Sequence, residues 1–327
     1  MIGFGPRSIM EDTLVANTKT PFPIPDEVVS WIRSVFEQIN NRVAYKLGRI
    51  PTVHETSLDM TFIEQVSQYS APFMFPSDWI VRLETHFLGG GRHWGPWEIA
   101  DIGVLVAFRS KHQIVGTKIA LLQSKRLYPE ESEVPSEDHP LDYATGFGRL
   151  LQAEQEFKSS IKKRHFHFTQ DSRYRALEYA DTQYSQILDY IKVNSIPVHY
   201  LFYHPPQVPS DTWLPAEAEQ KTTSPPRCEV GCRVIHAHAL DTRLGAAKLK
   251  KRQNPSYAEA IGTLQDRARL SPWTLQHFIA DLVIGCKEGY IGGLNPMQDA
   301  GLQRVFFERA GPISAAISIT IDSPFAG

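Results

Sequence analysis

The segment "EIADIGVLVAFRSKHQIVGTKIALLQSKRLYP", residues 98 to 129, constrains the fold more than any other part of the chain. Two long apolar runs flank a polar stretch around His112, which predicts two strands joined as a hairpin. Both runs are apolar at successive positions, and such strands lie in the interior of a sheet. Yet Asp101 opens the first run, and Gln123, Lys125 and Arg126 close the second. We therefore expect polar groups at one end of a buried hairpin.

Symmetric pairing of the strands about His112 places Asp101 opposite Gln123, because the two residues are equally distant from His112. Opposed residues share a face with Cβ atoms about 5 Å apart, and Lys125, two residues further on, shares that face. A buried charge is costly unless it is paired or binds a metal. Such groups gather at functional sites, although a structural Asp–Lys ion pair that fixes the register gives the same pattern.

The rest of the chain predicts a mixed α/β sandwich rather than the strict alternation of a doubly wound sheet. Helical periodicity favours helices at 26–48, 55–70, 146–163, 172–193 and 271–289. Strand patterns occur at 78–90, 196–205, 232–240 and 315–322, and the first of these is expected to form a meander with the hairpin. We expect a helical extension at 1–50 and one domain at 51–327, with a Pro-rich loop or insertion at 205–227.

Composition limits the classes of partner and compartment. The formal net charge is −2, so no overall basic field attracts a polyanion, and a nucleic-acid site would need a local patch. Three cysteines, Cys228, Cys232 and Cys286, argue against a disulfide framework. The N-terminus lacks a signal-peptide pattern, and no run approaches the roughly 18 apolar residues of a membrane span. A cytoplasmic location without membrane contact is the expectation.

The polar residues of the hairpin resemble the motif of the PD-(D/E)xK nuclease superfamily. The matching elements are Glu55 in "HETSLD", Asp101 in "ADIG" and Gln123–Ser124–Lys125 in "LLQSKR". The glutamine form is similar to Mrr-type restriction endonucleases and to nuclease effectors of antiphage defence, and Ala100 stands where the motif's name has proline. The resemblance covers the element order of residues 50 to 205. It implies a restriction endonuclease-like mixed sheet flanked by helices, with C-terminal strand and helix elaborations.

The resemblance also implies a chemistry for these residues. A metal-dependent endonuclease holds Mg²⁺ or Mn²⁺, which activates water and neutralises phosphate charge. Asp101, the side-chain oxygen of Gln123, the backbone carbonyl of Ser124 and Glu55 would be ligands, and Lys125 would orient the attacking water. Glutamine in place of glutamate removes one negative charge and weakens ion binding, so an inactive relic site is the alternative. Glu55 could instead serve only the first turn of its helix. Glu84 and Glu98 are nearby substitutes, although Glu98 has the wrong strand parity.

The most basic local run is "KKRHFHFTQDSRYR", residues 162 to 175. In a nuclease, double-stranded DNA is the expected partner, and basic residues would contact its phosphates while an aromatic ring stacks on a base. The predicted contacts are Arg126, Lys162, Lys163, Arg164, Arg173, Tyr174 and Arg175. A solvated surface is the commoner meaning of such a run.

Two further patterns could hold metals. "HFHF" at 165–168 and "HAH" at 236–238 are similar to the His-hydrophobic-His pair of nucleases that use a tyrosine nucleophile. The set Cys228, Cys232, His236 and His238 could bind zinc. The rival from another class is a non-catalytic subunit that binds nucleic acid or a partner protein. A partner that restrains or recruits the enzyme, or a homodimer, is also expected, since homodimers are common where two strands are cut.

Overall fold

The computed structural model describes residues 20–87, 99–133, 164–214, 228–262, 272–292, 298–303, 305 and 313–325. The described helices are α1 (Asp26–Arg49), α2 (Glu55–Ser67), α3 (Thr182–Asn194), α4 (Ala237–Ala246), α5 (Tyr257–Ile261), α6 (Leu275–His277), a π-helix (Phe278–Val283) and α7 (Ala300–Leu302). The described strands are β1 (Phe73–Met74), β2 (Ile80–Phe87), β3 (Ala100–Ser110), β4 (Gln113–Arg126), β5 (Glu130–Glu133), β6 (Arg164–Phe168), β7 (Val198–Tyr203), β8 (Ser210–Leu214), β9 (Arg233–His236), β10 (Trp273–Thr274), β11 (Tyr290–Gly292) and β12 (Ile313–Ser323).

The strands form one large sheet and one small sheet. The large sheet has the order β1-β2-β12-β3-β4-β7-β9-β10, with β11 added to β4. Within it β12 is parallel to β3 and β4 is parallel to β7, whereas the other pairs are antiparallel. The small sheet has the order β5-β6-β8. The predicted class, a mixed α/β protein with helices flanking a mixed sheet, is confirmed.

The central hairpin of β3 and β4 has the predicted register over most of its length. Ile102 pairs with Leu122, and the same offset continues to Phe108 opposite Gly116. The register then shifts by one residue at an irregularity after Phe108. The turn consists of Lys111 and His112, with φ values of 46° and 66°. Positive φ at both central residues is the geometry of a tight two-residue hairpin turn, so the prediction of a turn centred on His112 is wrong by half a residue.

The C-terminal strand β12 lies between β2 and β3. It pairs antiparallel with β2, where Asp322 lies opposite Ile80. It pairs parallel with β3, where Ile313 lies opposite Ala100. The predicted meander of the 78–90 strand with the hairpin is therefore wrong, because β2 and β3 do not pair. The predicted C-terminal elaboration is also wrong for this strand, which is central to the sheet. Its alternating apolar residues indicated a strand, but a pattern within one segment does not name the neighbours.

Several predicted boundaries move for local reasons. Helix α3 begins at Thr182 and not at 172, because the carboxylate of Asp181 accepts a hydrogen bond from the backbone of Tyr184 and caps the helix. Strand β9 ends at His236, whose ring caps α4, so His238 lies on a helix. The Pro-rich segment includes β8, and residues 215–227 lie outside the described residues, as does the predicted helix 146–163. The predicted helix 271–289 is a short strand followed by α6 and the π-helix.

Helix α1 belongs to the main body of the protein. Its inward residues, among them Val28, Ile32, Phe36 and Ile39, are fully buried and lie in one core cluster with the sheet and α2. Within the segment 1–50 that was predicted as an N-terminal extension, helix α1 therefore contributes to the core. Helix α2 packs beside α1 and contacts β2 and β4, which places the first two turns of α2 over the end of the hairpin where Gln123 and Lys125 lie.

Candidate active site at the end of the central hairpin

The carboxylate of Asp101 is held by two consecutive residues of β4. Its Oδ2 accepts hydrogen bonds from Nε2 of Gln123 at 2.7 Å, from the backbone N of Ser124 at 2.6 Å and from Oγ of Ser124 at 2.7 Å. The side chains of Gln123 and Ser124 point to opposite faces of the sheet, because the two residues are successive in a strand. The Asp101 carboxylate contacts both side chains, so it lies at the edge where the β3–β4 pair ends. The predicted convergence of Asp101 and Gln123 is confirmed, and Ser124 contributes a hydroxyl and an amide that the sequence did not indicate.

The side-chain oxygen of Gln123 has no partner within the part of the chain that is described. Gln123 is 2% exposed, its amide nitrogen donates to Asp101, and its Oε1 is buried without a hydrogen bond. A buried acceptor left unsatisfied costs about 1–3 kcal/mol, which is uncommon unless another group binds there. An amide carbonyl oxygen is a ligand suited to Mg²⁺.

Helix α2 places two carboxylates against this strand end. Glu55 and Asp59 are four residues apart and therefore lie on one face of the helix. Glu55 Oε2 accepts the backbone N–H of Arg126 at 2.8 Å, and Oε1 lies 3.6 Å from Nζ of Lys125. The side chain of Lys125 is only 4% exposed. Glu55 thus pairs with the buried lysine, as a site residue would, and does more than begin the helix.

Asp59 is the residue that sequence reasoning missed. Its Oδ1 accepts a hydrogen bond from the hydroxyl of Tyr203 at 2.6 Å, and its Oδ2 lies 3.0 Å from Oγ of Ser124. Tyr203 comes from β7, which runs parallel to β4. The signal was present in "ETSLD", where two carboxylates are separated by one helical turn and the first belongs to the site.

Burial dominates the titration of both helix carboxylates. It raises the pKa of Glu55, and the charge of Asp101 adds to that effect while Lys125 opposes it. Burial, with a further contribution from Asp101, raises the pKa of Asp59 to about 8, against the hydrogen bonds from Tyr203 and Ser124. At neutral pH Asp59 is therefore mainly a neutral acid.

A neutral Asp59 also satisfies the hydrogen bonding of Ser124. The hydroxyl of Ser124 has one proton but lies within hydrogen-bond distance of both Asp59 and Asp101. If Asp59 carries a proton on Oδ2, it donates to Oγ of Ser124, which in turn donates to Asp101. Each polar atom then has one compatible role.

The donors present fit a magnesium ion that retains water. Magnesium is commonly bound through one or two carboxylates and keeps several waters, and Asp101 with Gln123 Oε1 supplies a carboxylate and a carbonyl oxygen. Glu84 pairs across β2 with Ser318 of β12, so a whole strand separates it from Asp101 and the predicted substitution by Glu84 is wrong. Glu98 lies outside the described residues.

Two of the predicted nucleic-acid contacts are buried. Tyr174 is fully buried, and its hydroxyl lies 2.5 Å from Nε2 of His204, so the prediction that it stacks on a base is wrong. Arg126 is 4% exposed, donates to the carbonyl of Val53 and lies over the ring of Tyr128 at 3.9 Å. Its predicted phosphate contact is wrong for the same reason, since its guanidinium is used inside the fold.

The remaining basic residues lie at or near the surface. Arg164 pairs with Glu131 at 2.5 Å, and Arg173 donates to the carbonyl of Asn254 at 2.6 Å. Arg175 is exposed, with its guanidinium 5.2 Å from the ring of Tyr128. Lys162 and Lys163 lie outside the described residues. Of the described residues that were predicted to contact a phosphate, Arg175 is therefore the least committed to partners within the fold.

The predicted zinc set does not assemble. Cys228, Cys232 and Cys286 are free thiols, the side chain of Asn40 contacts both Cys228 and the backbone of Cys232, and His236 caps α4. Among the described residues, the one group of three His, Cys, Asp or Glu side chains whose ligand atoms all lie within 4.8 Å of one another is elsewhere. It consists of His165, His167 and Asp211.

No helix within the described ranges is long and apolar enough to cross a membrane. Comparison of the chain with protein-family models, with curated proteins and with solved structures gives no match.

Proposed function

We propose that the protein is a metal-dependent endonuclease that hydrolyses phosphodiester bonds of DNA, with a restriction endonuclease-like core. The observation that carries the proposal is the buried, unsatisfied Oε1 of Gln123 beside Asp101. The ion pair of Lys125 with Glu55 adjoins it. The resemblance of Glu55, Asp101 and Gln123–Ser124–Lys125 to the PD-(D/E)xK motif gives the same assignment from the sequence.

Each residue of the site then has a separate task. When bound, Mg²⁺ or Mn²⁺ supplies an activated water and neutralises charge on the phosphate. Asp101 and Gln123 would hold the ion, while Ser124 and Asp59 keep the Asp101 carboxylate in place. Lys125, oriented by Glu55, would place its ammonium group against the phosphate or the attacking water. A fixed positive charge in a water-poor site stabilises developing negative charge more than it would in bulk water.

The order of the elements supports the proposal. Helix α2 precedes the hairpin, and β7 follows it by way of α3 and pairs parallel with β4. This is the order that the resemblance implies over residues 50 to 205. The insertion of β12 between β2 and β3 departs from a simple meander and leaves the end of the hairpin unchanged.

We further propose double-stranded DNA as the substrate, restriction or antiphage defence in the cytoplasm as the setting, and control by a partner protein or by homodimer formation. Arg173 and Arg175 are exposed on one loop, and they are the surface charges that would meet the duplex.

Plasmid cleavage with Mg²⁺ or Mn²⁺ tests the proposal. Wild type is compared with Asp101→Asn and Lys125→Met, and each variant has a matched control in the same sheet. Asp322→Asn alters a carboxylate that pairs with Arg109 at 3.3 Å. Asp322 lies near the end of β12 that is remote from Asp101. Lys118→Met alters a buried lysine of β4 whose Nζ donates to the carbonyl of Gly289.

The site variants should lose roughly 10²-fold or more in cleavage rate, whereas the controls should retain activity. Cleavage that survives both Asp101→Asn and Lys125→Met would contradict the proposal. Wild-type protein that binds DNA but does not cleave it with either metal would also contradict it. That result would favour the non-catalytic binding subunit.

A further inference from the structure

A second cluster of metal-ligating groups lies on the small sheet. His165 and His167 are two residues apart on β6 and share a face, and His167 is paired across the strands with Asp211 on β8 and with Glu130 on β5. His165 is paired with Trp213. Phe166 and Phe168, which point the other way, are buried. The histidine face is therefore the outer face of a sheet whose inner face is anchored in the protein.

The three ligand atoms converge. Nδ1 of His167 lies 2.6 Å from Oδ1 of Asp211, and Nε2 of His165 lies 3.4 Å from the same oxygen. The two imidazole rings are 3.6 Å apart between centroids. His165 also stacks on Trp213 at 3.9 Å with an interplanar angle of 4°. The stacking holds the His165 ring in one orientation, which is a requirement for a defined ligand site.

Hydrogen bonds among the described residues leave this cluster incomplete. Nε2 of His165 is buried and forms no hydrogen bond with a described residue, although the ring belongs to a polar cluster at the surface. Two ring nitrogens face one carboxylate oxygen, and a single cation at their centre would bind all three. A buried ring nitrogen that faces a carboxylate oxygen without a hydrogen bond, beside a second imidazole, favours a bound cation at this place.

The donor set indicates the class of ion. Two imidazole nitrogens and one carboxylate oxygen are typical ligands of zinc and related transition metals, whereas magnesium prefers an all-oxygen environment. Three protein ligands leave a fourth position, and the carboxylate of Glu130 is placed in the same cross-strand row as His167 and Asp211. Water could occupy that position equally well.

We infer that His165, His167 and Asp211 bind a divalent transition-metal ion, best matched by Zn²⁺, at a site separate from the hairpin. The ion ties β6 to β8, which joins the Pro-containing segment after β7 to the body of the protein. A ligand that binds only the folded state stabilises it, so occupancy of this site should raise the melting temperature. The inference does not depend on the proposed nuclease activity.

Titration of the full chain with Zn²⁺ and Co²⁺ tests the inference. Protein freed of metal by a chelator is titrated in competition with a chromophoric chelator. Co²⁺ absorption reports the ligand set of the site directly, and the part of the tryptophan fluorescence that is lost in Trp213→Phe reports the ring beside His165. Even the loss of groups that only orient ligands weakens metal binding about 10–100-fold. His167→Gln and Asp211→Asn should therefore weaken Zn²⁺ binding at least tenfold, and Asp211 is 62% exposed, so its variant should fold.

Two variants serve as controls. His238→Gln alters an exposed histidine of the other His pair and should retain Zn²⁺ binding. Asp101→Asn alters the hairpin site, and it should leave unchanged the Zn²⁺ affinity that His167→Gln and Asp211→Asn weaken. Wild type that binds no Zn²⁺ overturns the inference. So does binding that is unchanged in His167→Gln and Asp211→Asn, or that is lost in Asp101→Asn alone. The last result would move the ion to the hairpin, and none of the three outcomes measures DNA cleavage.

Discussion

The side-chain nitrogen of Gln123 lies 2.7 Å from Oδ2 of Asp101, and this hydrogen bond leaves the side-chain oxygen of Gln123 buried with no described partner. An amide at this position holds the carboxylate without a cation, which a glutamate would not do. Gln123 therefore stabilises the Asp101 carboxylate in the absence of a cation, and under the proposed function it would bring one ligand charge fewer to the metal than glutamate.

Gln123→Glu should make the protein less stable without a cation and more responsive to added Mg²⁺. Two carboxylates side by side repel when no cation is present, so the melting temperature should fall in chelator. Saturating Mg²⁺ should then raise it by more than it raises the wild type. Thermal melts with and without Mg²⁺ measure both effects, and Gln123→Met, which removes the oxygen ligand, should show the smallest response to Mg²⁺. An equal Mg²⁺ shift in all three proteins would mean that position 123 is not a ligand.

Asp59→Asn should stabilise the protein increasingly as pH rises. The folded-state pKa of Asp59 is raised from 3.8 to about 8, so the folded state binds more protons than the unfolded state between these values. Folding stability due to this group is then full at low pH and falls with a limiting slope of about 1.4 kcal/mol per pH unit. Asparagine reproduces the hydrogen bonds of the neutral acid and does not ionise.

Denaturant unfolding at pH 5 and pH 8 measures the effect. The difference in unfolding free energy between Asp59→Asn and wild type should be larger at pH 8. If the difference in unfolding free energy does not depend on pH, Asp59 ionises as an exposed carboxyl group does. In that case Asp59 does not donate a hydrogen bond to Ser124. Tyr203→Phe, which removes a hydrogen bond to the ionised form, should steepen the wild-type pH dependence.

Tyr174→Phe should cost stability without altering nucleic-acid binding. Burial lowers the pKa of His204 to about 3, so its ring is neutral. Its Nδ1 donates to the carbonyl of Gly231, and its Nε2 accepts from Tyr174. The variant leaves that buried nitrogen unsatisfied, which costs about 1–3 kcal/mol of unfolding free energy. Chemical denaturation measures this loss of unfolding free energy. Weakened DNA binding by a folded Tyr174→Phe variant would show that Tyr174 does contact the nucleic acid.

Arg175→Glu should weaken DNA binding and reduce its salt dependence. Each phosphate contact that is lost lowers the slope of log affinity against log salt by about 0.9 for duplex DNA. Lys192→Glu, an exposed change of the same charge on α3, is the matched control and should alter binding less. Fluorescence anisotropy over a range of salt concentrations measures both. Equal effects of the two variants would indicate a general charge effect and no defined contact at Arg175.

The site was only partly predictable from the sequence. The alternating and continuous apolar runs of residues 98 to 129 predicted the hairpin, and equal distance from the turn predicted Asp101 opposite Gln123. Glu55 was found through the resemblance. Asp59 was not found. Helical periodicity shows that Glu55 and Asp59 lie on one face of a helix, but it does not show which strands that face contacts. Tyr174 was misassigned, because a basic and aromatic run looks the same whether its side chains are outside or inside. Arg126 was misassigned, because the sequence does not show that its guanidinium donates to the carbonyl of Val53.

The sequence by itself determined most of the long helices and strands, the hairpin register from Ile102 to Phe108 and the pairing of Asp101 with Gln123, since these depend on side-chain period and on strands that are neighbours in the chain. Only the tertiary structure decided that β12 enters the sheet between β2 and β3, that Asp59 and Tyr203 complete the hairpin site, and that Asp211 joins His165 and His167. These contacts join segments far apart in the chain. They form because the whole core is packed at once, and no periodicity within one segment specifies them.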